Sequence, residues 1–115
     1  MAARRTKWML SSPTLQLTGS MGVSYQKVTS NYTITALDLI VLANATSGAL
    51  TLTLPTASAT LKGRTYSIGK SDETTNSVTF SPALSLTETT TISSINFARK
   101  YRVVCDGTNW WIYSE

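Results

Sequence analysis

The side chains in this sequence suited to chemistry are few. Six carboxylates occur, at Asp38, Asp72, Glu73, Glu88, Asp106 and Glu115. Asp72 and Glu73 are adjacent, so an extended chain points them to opposite sides, and in a polar loop they read as a solvated turn. A glycoside-cleaving pair drawn from Asp38, Glu88 and Asp106 would need carboxyls converging within ~5–10 Å, and nothing in their surroundings asks for it. Asp38 opens an apolar run and Asp106 precedes Gly107, so both have structural reasons to be aspartate. There is no histidine. That removes the usual general base, the commonest metal ligand and any Ser-His pair. Cys105 is the only cysteine, which rules out an internal disulfide and a cysteine-built zinc site. It lies in the apolar run Tyr101–Cys105 and reads as a buried, inert thiol. Lys62-Gly63 lacks the glycine spacing of a phosphate-cradling loop. Lys62, Arg64 and Lys70 read as a solvated strand edge whose charges discourage edge-to-edge pairing. The expectation is a protein that is not an enzyme, with no catalytic residue, metal or cofactor.

The aromatic residues carry more information. Trp110, Trp111 and Tyr113 close the chain together, with Tyr101, Tyr66 and Tyr25 elsewhere. Rings supply rigid contact area and pack on the C–H faces of sugars. On a strand, Trp111 and Tyr113 share one side while Trp110 and Ile112 share the other, so one indole enters a core or subunit interface in either register. Arg99, Lys100 and Arg102 interleave with these rings, a pattern that also suits single-stranded nucleic acid. The charge distribution argues against that use. The net charge is +4, but Arg4, Arg5 and Lys7 supply three positives near the N-terminus, and seven remaining basic residues nearly balance six acidic ones. A basic arm on a near-neutral body is not a uniform nucleic-acid face.

The elements that must position these residues follow from alternation. Leu50, Leu52 and Leu54 alternate with Thr51 and Thr53, which puts leucines on one face and threonines on the other. Pro55 ends that strand. The small residues from Thr56 to Lys62, followed by Gly63, predict one short helical turn with a glycine stop. Alternation resumes over Arg64–Lys70 with Tyr66 and Ile68 inward, and over Ser77–Ser81 with Val78 and Phe80 inward. Earlier strands are predicted at Val23–Val28, Tyr32–Thr35 and Leu37–Ala43, the last covered on both faces. After Pro82 breaks the ladder, Leu84 and Leu86 form a short piece, Glu88–Thr91 a polar loop, and Thr91–Ile95 a weak strand with Ile92 inward. Arg99–Cys105 places Tyr101, Val103 and Cys105 opposite Lys100 and Arg102. Asp106-Gly107 is the strongest hairpin signal, and Asn109–Ser114 returns antiparallel.

These eight to ten strands, with one helical turn and no repeat at a fixed period, predict an all-β fold: an antiparallel β-sandwich or jelly-roll-like module. Residues 23–115 form the domain. Residues 1–22 form an extended N-terminal arm, jointed at Gly19, Ser20 and Gly22, whose Arg4, Arg5, Lys7, Trp8, Met9 and Leu10 are the docking candidates. No apolar run approaches the ~20 residues of a membrane span, and Trp8–Leu10 is too short for a signal-peptide core. The single cysteine suits folding in a reducing cytoplasm.

One resemblance joins these readings. The Tyr32–Thr35 strand, the Asp-led strand Asp38–Leu42, LTLTLP with its small-residue turn, Lys62-Gly63-Arg64 followed by Tyr66, Ile68 and Lys70, and DGTNWWIYS from Asp106 to Ser114 together resemble a β module of bacteriophage tail fibres and other virion appendages. The resemblance covers residues 32–114 and rests on strand and turn residues. It implies a structural module, usually a homotrimer. The leading expectation is a virion structural protein, a capsid decoration, head fibre or tail-fibre component. It would be assembled in a host cytoplasm and attached through its arm to other virion proteins. The alternatives are an adhesin binding a host-surface glycan through Trp110, Trp111 and Tyr113, and, less favoured, a nucleic-acid-binding β domain.

Overall fold

The computed structural model describes residues 18–20 and 22–115. The docking candidates Arg4, Arg5, Lys7, Trp8, Met9 and Leu10 lie outside the described residues. The body is all-β, with strands β1 (Tyr25–Val28), β2 (Tyr32–Thr33), β3 (Ile40–Ala43), β4 (Leu50–Thr53), β5 (Thr65–Lys70), β6 (Val78–Ser85), β7 (Thr91–Ile95), β8 (Arg99–Cys105) and β9 (Trp110–Ser114). The one helical element among the described residues is a 3₁₀ turn at Ala59–Leu61, closed by Gly63 at φ +88°. Positive φ is costly for any residue with a Cβ, which is why glycine stands there.

Alternation builds the strands as expected. In β4, Leu50 and Leu52 are buried while Thr51 and Thr53 are half-exposed. In β8, Tyr101, Val103 and Cys105 are buried while Lys100 and Arg102 are exposed. The inward side chains form one core, in which Tyr66 packs on Trp110 with ring centroids 5.3 Å apart and Phe80 meets Tyr101 edge-on at 6.1 Å.

The strand directions depart from the antiparallel expectation. The strands lie in the order β1-β3-β5-β8-β9-β6-β4-β2, with β7 against β6. The pairs β1–β3, β3–β5, β2–β4, β4–β6 and β6–β9 are parallel, while β5–β8, β6–β7 and β8–β9 are antiparallel. Parallel neighbours need a crossover. Here the crossover is itself a strand: the chain steps from β1 to β2 to β3 and onward, so β1, β3 and β5 stack in one layer and β2, β4 and β6 in the facing one. The β8–β9 hairpin then bridges β5 to β6 and joins the layers on that side. At the other end β1 and β2 terminate the sheet order, and the sheet stays open.

Two local expectations change. Pro82 does not end its strand. β6 continues through it, and its pairing with β7 shifts between Thr79 and Leu84, a bulge that absorbs a residue without an N–H. Leu37 is not covered: β3 begins only at Ile40, and Leu37 is 86% exposed. A polar turn overrides the apolar pattern there. Asp38 N–H donates to Thr35 O at 3.1 Å, and Asp38 Oδ2 accepts from Thr35 N–H at 2.9 Å.

Candidate functional site

Three polar or aromatic assemblies follow from this fold. The first is internal. Lys70 continues the inward side of β5 after Tyr66 and Ile68, and its side chain is 0% exposed. It is therefore not part of a solvated edge. Asp72, expected in a solvated turn, is its partner: Lys70 Nζ lies 2.6 Å from Asp72 Oδ2, and the Asp72 side chain is 8% exposed. Asp72 Oδ1 also accepts from Ala45 N–H at 2.6 Å, and Oδ2 accepts from Thr74 N–H at 3.0 Å and from the Thr74 hydroxyl. Asn76 Nδ2 donates to Ala45 O at 2.8 Å. Burial pushes the Asp72 pKa up, but the Lys70, Thr74 and Ala45 donors outweigh it and hold the carboxyl well below its usual range. This network staples the β3–β4 loop to the β5–β6 loop. A burial requirement was invisible in the sequence because Lys70 and Asp72 bracket a turn, where charges ordinarily meet water. The remaining cations of that group separate. Lys62 is exposed, while the Arg64 guanidinium donates to Ala36 O and lies 5.4 Å from the Tyr66 ring centre.

Asp38 makes a smaller buried cluster. It accepts from Tyr32 OH at 3.0 Å and from Thr35, and this bond to a carboxylate raises the Tyr32 pKa. Glu73 and Glu88 are exposed in separate loops. Among the described residues, no three His, Cys, Asp or Glu side chains gather as metal ligands would. Cys105 is buried, with its sulfur accepting from Gly107 N–H at 3.3 Å.

The second assembly is an outer face that the sequence only half revealed. Trp110 is fully buried and donates through Nε1 to Pro55 O at 2.8 Å, so it is a core residue. Trp111 and Tyr113 lie on the other side: Trp111 is half-buried and Tyr113 is 54% exposed. The hairpin loop fixes the Trp111 indole. Asp106 Oδ1 accepts from Thr108 and Asn109 N–H, and Oδ2 accepts from Trp111 Nε1 at 2.6 Å. These bonds, Asn109's first, lower the Asp106 pKa. Across the sheet, Tyr25, Ile40, Ser67 and Arg102 stand in register, and beside them Lys27, Leu42, Gly69 and Lys100. A third row joins Thr65, Val104 and Trp111. β1 thus brings Tyr25 and Lys27 onto the same face as Lys100, Arg102, Trp111 and Tyr113. Nothing in the local sequence links residues 25–27 with 100–113; parallel pairing through β3 does so.

The opposite outer face is different in kind. Thr33, Thr53 and Ser81 form one row, and Thr51, Thr79 and Ser94 another, with no charge among them. The third assembly is an open groove of about 480 Å³ where the chain enters β1, β3 and β5, lined by Val23, Leu37 and Leu39 with Asp38 and Arg64. Val23 and Leu37 are exposed there. No helix among the described residues is long and apolar enough to cross a membrane. The chain matches no protein-family model, no curated protein and no solved structure.

Proposed function

We propose that this chain is a non-enzymatic structural protein of a bacteriophage virion, a β body that self-associates, as a trimer, and attaches to a capsid or tail through residues 1–22. The observation that carries the reading is the open end of the sheet. β1 and β2 are the first strands of the body and the two ends of the sheet order. An edge strand offers unpaired N–H and C=O groups as a template for another chain. Two apolar residues, Val23 and Leu37, are exposed along one groove at the entry to β1, and the chain comes into the body there from its basic, Trp-bearing arm. Isolated exposed apolar residues are ordinary; grouped ones mark a contact surface. The resemblance of the chain's strand and turn residues to virion appendage modules is what supports the virion location.

One outer face of the body is uncharged and hydroxyl-rich. Nearly a third of the sequence is Ser or Thr, and hydroxyl rows cover the outer face of β2, β4 and β6. Such a surface stays hydrated at high local density. The test is incorporation. Particles made with the full chain should carry it, and particles made with residues 23–115 should lack it while that shortened protein keeps its β-sheet circular dichroism. Equal incorporation of both forms would refute attachment through the arm, and loss of the sheet signal would place the arm in the core.

A further inference from the structure

The outer face of β1, β3, β5, β8 and β9 has a composition that self-association leaves unexplained. Lys27, Lys100 and Arg102 point outward from it, and the ion pairs among the described residues, Lys70–Asp72 and Arg99–Glu115, involve none of them. Between and beside these cations stand Tyr25, Trp111 and Tyr113. We infer that this face binds an acidic polysaccharide, with rings packing on the C–H faces of sugars and the cations meeting carboxylates along the polymer.

Three features select that ligand class. The first is charge complementarity: the positive charge on the outer sheet surfaces is concentrated on this face, while the hydroxyl rows opposite carry none. The second is spacing. Lys100 and Arg102 are two residues apart on one strand, about 7 Å, and Lys27 lies three strands from Lys100, about 14 Å away. Sparse charges set among rings suit a polymer with an acid on every sugar or every second sugar. A nucleic acid rewards a more uniformly basic surface than this near-neutral body offers. The third is Asp106. Its carboxylate holds Trp111 Nε1 at 2.6 Å, so the most anchored ring of the face carries a negative charge at its rim. That bond engages the edge of the indole and leaves its face free for an uncharged C–H surface. The ring is also preorganised, which lowers the entropic cost of binding.

The inference is independent of virion attachment and is tested on the purified full chain. The probes are polygalacturonate, dextran as the neutral control, and a single-stranded oligodeoxynucleotide, each titrated calorimetrically at low and high salt. Polygalacturonate should bind, more weakly as salt rises, and dextran should not. Lys100→Gln with Arg102→Gln should weaken binding about tenfold, the sum of two exposed charge contacts. Trp111→Ala should weaken it about tenfold through the lost ring contact. Lys27→Gln should also weaken it, because that residue reports on the far strand. Thr51→Ala with Thr79→Ala, on the opposite face, should change nothing. Circular dichroism and sedimentation accompany each variant. Absence of polygalacturonate binding, equal binding of dextran, or tighter binding of the oligonucleotide would overturn the inference. So would variants on this face that dissociate the assembly, which would make it a subunit interface.

Discussion

Replacing Asp72 by alanine should be among the most damaging single changes in the body. The carboxylate accepts from Lys70 Nζ, Ala45 N–H, Thr74 N–H and the Thr74 hydroxyl. Its removal strands an ammonium whose side chain is 0% exposed and leaves the Ala45 amide without its carboxylate partner. Breaking a buried pair by removing one partner costs about 3–5 kcal/mol. Asp72 itself is 8% exposed, so some water can reach the gap, and the lower part of that range, about 3 kcal/mol, is the expected loss. Against a total stability of roughly 5–15 kcal/mol, the loss is a large fraction. With a urea slope of about 1–2 kcal/mol per M, the unfolding midpoint should fall by about 2 M. The double variant Lys70→Met with Asp72→Ala should sit closer to the parent than Asp72→Ala alone, because no charge is left buried and unpaired. Acid gives a second reading. The Asp72 pKa is held below that of the unfolded chain, so its stabilisation is complete above about pH 4 and is lost as pH falls below that value. The gap between parent and Asp72→Ala should therefore narrow in acid. An Asp72→Ala loss under about 1 kcal/mol, below the usual cost of an orphaned buried donor, would refute the account of this network, as would a pH-independent gap.

Other consequences can be checked with the same purified protein. Trp110→Ala should cost about 3–5 kcal/mol in urea unfolding, whereas Trp111→Ala on the outer face should cost about 1 kcal/mol or less. Gly69→Ala should destabilise by about 2 kcal/mol or more, because the added Cβ would lie 2.3 Å from Arg99 O and 2.6 Å from Lys100 Cα and force β5 and β8 apart. Trp111 emission should hold steady through the ordinary carboxylate range and change only in stronger acid, when Asp106 takes a proton and Nε1 loses its partner. Cys105 should react with a thiol reagent only in denaturant, since its thiol is buried.

Which residues point inward was legible from alternation alone. Leu50, Leu52 and Leu54, Tyr66 and Ile68, Val78 and Phe80, and Tyr101, Val103 and Cys105 are all buried as their spacing requires. The same rule divided Trp110 from Trp111, although the sequence could not say which ring faced out. Strand partners were not legible. Alternation specifies faces but not neighbours, and the parallel stacks Tyr25–Ile40–Ser67 and Tyr32–Leu52–Phe80 join residues at unequal separations, so no fixed period announced them. Lys70 and Asp72 were misread for a related reason. A charge near a turn is solvated by default, and only the return of the Ala45 loop over the pair encloses it. For the outer face, the hairpin half was visible in the run from Arg99 to Tyr113. The half supplied by Tyr25 and Lys27 depended on long-range pairing.

The most direct measurement is sedimentation velocity of the full chain at micromolar concentration, beside Leu37→Asp. Virion assembly through the open end predicts a stable oligomer with the mass of three chains, shifted toward single chains when a charge enters the exposed apolar cluster. A compact monomer that stays monomeric as concentration rises would contradict it.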